Sequence, residues 1–558
     1  MLKKISYLLL AVVFAISLAA LISNDVRRFF SFYAAGETNI LQDIPLSELS
    51  PHDAGAYYFI AGDYGSLSTE TLRGSATPWV LTASAITLSH VDGDLSKVTP
   101  AAMRFAFQQW GFTSPKTIAN WPQNLPPLEL EAPLGFNIGT VEKNFPPIEI
   151  TAANISCAAC HSSVNYLPDG TPDLTISWLG TPNASINLEG YPQAIYDSFL
   201  RFGSDDKLMQ AAHILFPDLT KKEKFTLEKI ILPSATKRIN ELKDTLGRAV
   251  PFVGGYPGVT NGLDGLHIRL GLQDRAEMSE LSAFNSIPNL DGHAFRTSFL
   301  NAGNYQIPNI DVSQTINRED LNEAHLDRLG KIVAFFTVPS MGVDLLTAEA
   351  HMEDAKTVMR YVAGVRTQPF PGVINESLAK MGGVVFTQHC ASCHGRYDDN
   401  YELSSYPNYV GDVGSDTLRI DLLKTGGTAK AINETVMGQY IHSVDPRGYS
   451  APALNGIWAS APYMHNGSIP TLSHLFNPET RPDSFYLGGQ RLNFEMIGID
   501  GQLTEDNNWE QPEGYTAWSN SVLFDTSKRG QSAKGHEMPF DKLSDSEKQA
   551  LLEYLKKL

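Results

Sequence analysis

One long apolar stretch opens the chain. It runs from Ile5 to Ile22, broken by Ser6, Tyr7 and Ser17, with Lys3 and Lys4 just before it. About 18 apolar residues fall between a signal-peptide core and a spanning helix. No small-x-small cleavage site follows directly, so residues 1–24 are expected to stay as a single N-terminal membrane anchor. The alternative is a cleaved, soluble or secreted chain. No later segment is apolar enough to span a membrane.

Beyond that stretch the apolar pattern is short and mixed. Residues 25–155 are rich in Pro and Gly and read as irregular structure with a few helices, such as Pro100 to Trp110. Tyr191 to Phe202 has helical spacing. Asp205 to Arg248 is Lys-rich and amphipathic, with Phe225, Leu227, Ile230 and Ile231 on one face. Gly254 to Gly265 reads as a loop, and Leu321 to Phe336 as a helix ending near Pro339. Ala348 to Val365 reads as a connecting helix, broken by Arg366-Thr-Gln-Pro-Phe-Pro-Gly372. Asn375 is then placed to cap a new helix with Leu378, Met381 and Val385 on one side. Near the end, Ser544-Asp-Ser-Glu547 is a capping box before Leu551, Leu552, Leu555 and Leu558.

The four cysteines change this picture. All lie in two pentapeptides, Cys157-Ala-Ala-Cys160-His161 and Cys390-Ala-Ser-Cys393-His394. C-x-x-C-H is the attachment signature of c-type haem. Two thiols on one turn bond the porphyrin vinyls, and the following His binds the iron axially. A zinc site would need a second ligand pair, and neither motif has another Cys. Two covalently bound haem c groups are therefore expected. Covalent haem c is normally completed outside the cytoplasm, so a periplasmic location, tethered at the inner membrane, is expected.

The 558 residues include 19% charged and 42% hydrophobic residues, as in an ordinary globular protein. The net charge of −18 argues against nucleic acid as a partner. It suits a basic protein partner, such as a small cytochrome c acting as electron donor or acceptor. Calcium has no support in the sequence, and the oligomeric state is not encoded legibly.

The helix leading into Cys390 and the closing helix resemble a class I cytochrome c domain. The phrase Ala461-Pro-Tyr-Met-His-Asn-Gly-Ser-Ile-Pro-Thr-Leu472 resembles the interdomain motif of di-haem cytochrome c peroxidases. Leu454-Asn-Gly-Ile-Trp458, Gly414-Ser-Asp416 with Arg419, Arg481-Pro-Asp-Ser-Phe485, Phe524-Asp-Thr526 and Gly535-His-Glu-Met538 are similar to the rubber-oxygenase-like branch. The likeness covers about 375–558 well and is thin before it. It implies a mainly α fold of two class I cytochrome c-like domains with long irregular loops. The expected division is 25–340 for the first haem domain, 341–374 for a linker and 375–558 for the second.

The sixth ligand decides function, because a second His or Met saturates the iron whereas an open site admits peroxide or dioxygen. The resemblance implies His536 as the distal ligand of the second haem, with Met538 and Met464 as competitors. Met464 and His465 read better as packing residues. For the first haem, His213, His267, His293 and His325 lie downstream, without a signal that any is a ligand. The resemblance implies Phe284 beside that haem, and Trp458 as an aromatic between the haems. The expectation is a peroxidase-like di-haem oxidoreductase. An electron-transfer cytochrome and a haem dioxygenase of an apolar substrate are the alternatives.

Overall fold

The computed structural model describes residues 36–39, 41, 44–62, 77–143, 147–250, 253–272, 283–341 and 352–558. The apolar run Ile5–Ile22 lies outside them. Among the described residues no helix is long and apolar enough to cross a membrane. The expected anchor therefore falls outside the described residues, and the tethered location that rested on it finds no support in any described helix.

The fold is not mainly α. Helices are interleaved with strands that form eight small sheets among the described residues. Helix α1 (Pro51–Ala61) starts on Ser50, whose side chain accepts the Asp53 N–H, with Pro51 in the first turn. Helices α2 (Trp79–His90) and α3 (Pro100–Gln108) follow. Then comes an antiparallel pair, β1 (Phe136–Lys143) and β2 (Ile148–Ile155), in register from Phe136↔Ile155 to Lys143↔Ile148. This pair falls where irregular structure was expected. Ile138, Val141, Ile148 and Ile150 supply the β-branched content that favours a pleated surface.

Strand β2 stops two residues before Cys157. The first pentapeptide is a single helical turn, Cys157–Cys160. It passes directly into β3 (Ser162–Tyr166), which pairs antiparallel with β4 (Pro172–Leu179). The first haem motif is thus held between two strand pairs, and not after a helix as in a class I cytochrome. Beyond it, α4 (Gly190–Phe202) and α5 (Asp206–Leu215) pack with α2 over a core of Val80, Leu81, Phe199, Phe202 and Leu208. The expected loop at 254–265 holds a short strand β5 (Val259–Thr260) and the start of α6 (Gly262–Arg269). Strand β6 (Asn285–Ser286) pairs with β5.

The halves share both sheets and core. Ile316–Asn317 pairs with Leu403–Tyr406, and Tyr305–Gln306 pairs with His442–Ser443. Helices α7 (Glu323–Met341) and α8 (Met352–Gly364) pack with each other, and α8 packs on α1. Their core continues into Ile420, Leu423 and Ile441 of the second half.

The second motif sits as the helical reading expected. Helix α9 (Glu376–His389) is capped by Asn375, whose side chain accepts the Leu378 N–H at 3.1 Å, and ends at Cys390. Short helix α10 (Leu418–Thr425) follows, and the chain closes on α11 (Asp545–Leu555). Both halves of the Ser544–Glu547 capping box are formed. Helices α9 and α11 pack against each other over only part of the face that apolar spacing marked, with Val385 buried, Leu378 half-buried and Met381 turned out. Met381 is 55% exposed, while Ala379, Gly382, Val385 and Phe386 are buried. The small residues allow the backbones to approach. A Cβ on Gly382 would stand 2.0 Å from the Ala550 carbonyl oxygen. Gly382→Val is therefore expected to destabilise the protein by at least the roughly 1–3 kcal/mol of ordinary overpacking, as read by urea unfolding. An unchanged midpoint would mean that this crossing is not tight.

Candidate haem-binding centres

Each motif histidine is held through one ring nitrogen. His161 Nδ1 lies 3.1 Å from the Pro288 carbonyl oxygen, and His394 Nδ1 lies 2.7 Å from that of Pro452. A carbonyl only accepts, so Nδ1 carries the proton in both rings and Nε2 is left as the free lone pair. That tautomer is the one an iron ligand needs, with the second hydrogen bond fixing ring orientation. Burial holds both imidazoles down to about 4, with the nearby His536 adding to the effect at His394. Both rings are therefore neutral at neutral pH, as metal binding requires. Neither proline was visible as a functional residue, since its contribution is a backbone oxygen.

The C-terminal centre has a second histidine in place. The rings of His394 and His536 are 6.0 Å apart, centroid to centroid, and tilted by 36°. Two metal–imidazole bonds of about 2.0 Å each, plus the two ring radii, come to roughly the same span. His536 Nδ1 is buried without a hydrogen-bond partner, and the ring stacks on Phe540 at 5.5 Å. Its position is set by the backbone: His536 donates its N–H to the Val413 carbonyl at 2.7 Å, and its φ is 52°. The neighbouring Gly535 has φ 93°, and a Cβ there would lie 2.4 Å from the Ser415 nitrogen. Only glycine fits that approach. Met538 points elsewhere, at 61% exposed. The residues present thus fit a haem c with Cys390 and Cys393 as tethers and His394 and His536 as the two axial groups.

The N-terminal centre is built differently. Cys157 packs against one apolar core and Cys160 against another, which contains Trp79, Phe107, Phe112 and Tyr191. Among the described residues, His161 makes no ring contact of the kind that joins His394 and His536. His325 is occupied by the Ala294 carbonyl at 2.8 Å, and His267 contacts Thr428 at 2.7 Å. His293, which opens the 3-10 turn His293–Phe295, is buried within electrostatic reach of His161, with its ring against Phe299 at 5.9 Å. The thiols and the neutral His161 fit a covalently tethered haem c here as well.

Segment 283–288 joins several elements to this centre. Arg419 donates to the Ala283 carbonyl at 2.9 Å, Ser286 donates its N–H to the His465 carbonyl at 2.6 Å, and Pro288 orients His161. Phe284 lies within it, 1% exposed, against Tyr256 at 5.4 Å, but it packs in the core that contains Trp458 and adjoins Cys390, and not in either core that touches Cys157 or Cys160. His465 stacks on Tyr449 at 3.7 Å, and burial takes its pKa down to about 3. Met464 contributes its carbonyl to the Ser286 hydroxyl. Glu189 is buried within reach of the Cys160 sulfur, and burial raises its carboxyl to about 7.

Trp458 is 1% exposed and donates Nε1–H to the Gln368 carbonyl at 3.2 Å. Its ring meets Tyr166, at the end of β3, at 6.2 Å, and Phe370 at 5.4 Å. It shares a core with Cys390. The aromatic contact therefore runs from the strand that leaves the first motif into the core beside the second.

C-x-x-C-H turns with neutral, oriented histidines are features of c-type cytochromes of the oxidoreductase kind. Residues 448–486 match the RoxA-like, cytochrome c-like family model. That segment contains Trp458 and the Ala461–Leu472 phrase, and supports a relationship with RoxA-like cytochromes over a small part of the chain. Two proteins of Sinorhizobium fredii (strain NBRC 101917 / NGR234) are also similar. The uncharacterized protein y4iM is 25% identical over 291 residues, covering 45% of this chain and 63% of that protein. The uncharacterized protein y4iJ is 37% identical over 122 residues, covering 20% of this chain and 18% of that protein. The chain thus spans less than two thirds of either relative.

Proposed function

We propose that the protein is a di-haem oxidoreductase with unequal centres: one haem saturated by two histidines, the other open to peroxide or dioxygen. The iron porphyrins, when bound, supply the redox chemistry and electron storage. The chain tethers them through Cys157 and Cys160, and through Cys390 and Cys393. Pro288 and Pro452 keep His161 and His394 in the tautomer that offers Nε2. His536 closes the second centre. Ala283 shares the apolar core against which Cys157 packs, and Glu189, within electrostatic reach of Cys160, has its carboxyl raised to about 7 by burial. Trp458 and Tyr166 provide the aromatic contact between the two regions. A small, basic redox protein such as a cytochrome c is the partner that the acidic surface favours.

The observation that carries this reading is the asymmetry of the motif histidines: His394 is faced by His536, and His161 has no such pair among the described residues. Peroxide reduction is tested with reduced cytochrome c, and dioxygenation by oxygen uptake with polyisoprene. Turnover in one assay, lost in His161→Ala while the C-terminal spectrum persists, is the expected result. Turnover in neither would contradict an open centre and leave an electron-transfer cytochrome.

A further inference from the structure

Arg419 is a buried cation that no carboxylate touches among the described residues. Its residue is 5% exposed. One guanidinium nitrogen donates to the Ala283 carbonyl at 2.9 Å, but Nε has no hydrogen-bond partner. No ion pair forms on it among the described residues. Asp264, within electrostatic reach, is equally buried. Its Oδ2 accepts from the Asn261 side chain at 2.8 Å, and its Oδ1 has no partner. Tyr305, Tyr449 and His465 are also within electrostatic reach. Two opposite charges are thus buried near each other, each with an unpartnered polar atom, and they do not touch. An unpaired buried guanidinium is strongly unfavourable, so its environment is incomplete without an anionic acceptor. A carboxylate is the planar acceptor that a guanidinium fork matches.

The position indicates whose carboxylate. Arg419 binds the backbone at Ala283, and His161 binds it at Pro288, five residues later. Five residues of chain span at most about 18 Å. We propose that Arg419 is the counter-ion for a propionate arm of the haem tethered at Cys157 and Cys160. This rests on the reading of that motif as a haem site. Arg419 is then a positioning and charge-balancing residue, contributed by the second half of the chain to the centre of the first. The segment that leads into its helix also holds the other centre, since Val413 accepts the His536 N–H.

The test uses full-length holoprotein. Mass spectrometry of the Cys157–Cys160 peptide first establishes the porphyrin adduct; its absence would fail the underlying haem reading itself. With the adduct present, spectropotentiometry compares wild type with Arg419→Gln. Loss of the cation leaves the propionate charge unbalanced and favours the ferric form. The N-terminal haem should become harder to reduce by about tenfold in its one-electron equilibrium, about 59 mV, while the C-terminal potential stays in place. An unchanged N-terminal potential, or an equal shift in both haems, would overturn the assignment. A second measurement needs no variant: acetate added to wild type should leave both potentials unmoved. A saturable shift of the N-terminal potential would identify a diffusible carboxylate at Arg419 and overturn the propionate assignment.

Discussion

His536→Ala is expected to convert the C-terminal haem from low spin to high spin and leave the other centre unchanged. The ring of His536 faces His394 at 6.0 Å, the span of two axial imidazoles with a metal between them. It is held there by backbone that has little freedom, with Gly535 at φ 93° and His536 at φ 52°. Met538, the other candidate in the same phrase, is 61% exposed. Water or an added anion would take the vacated place. His536→Met should restore low spin, because thioether sulfur also ligates haem c, and raise the reduction potential. A low-spin spectrum in His536→Ala would remove His536 as the ligand.

The second large effect concerns the first motif. Cys157→Ala combined with Cys160→Ala should lower the mass of the mature holoprotein by one porphyrin adduct and abolish turnover. The C-terminal low-spin spectrum should persist, because its tethers, its proximal histidine and His536 all lie between 390 and 536. Loss of both adducts together would mean that the two centres do not assemble separately. The halves are coupled through shared sheets and through a shared core, in which Ile420, Leu423 and Ile441 cluster with Phe59 and Tyr361. Comparing the unfolding midpoint of the double variant with that of wild type separates loss of the haem from loss of this core.

The two C-x-x-C-H turns were legible because their pattern is local. Two thiols and an imidazole within five residues leave few other readings, and the Ser544–Glu547 box is equally local. The orienting partners were not legible. The oxygens that fix His161 and His394 lie 127 and 58 residues away in sequence and belong to the backbone of prolines. Side-chain pattern carries no trace of such an acceptor. The mainly α reading extended the Cys390 domain to the whole chain. It failed at the first motif because β1 and β2 deliver Cys157 from a strand, in a stretch whose Pro and Gly content masked the β-branched positions. Met381 shows the same limit at the level of one helix. Its spacing with Leu378 and Val385 is that of a buried face, but α11 approaches over Ala379 and Gly382, where the absence of side-chain bulk permits contact. Arg419 was read only as part of a resemblance. Its unmatched charge emerges from burial, which sequence does not display.

The central claim is that the chain holds two haems whose irons have different coordination. Electron paramagnetic resonance of the oxidised, full-length holoprotein, with spins counted against protein, addresses it most directly. One high-spin and one low-spin ferric signal in equal amounts is the predicted result. Two low-spin signals, or a total of fewer than two ferric haems per chain, would contradict it.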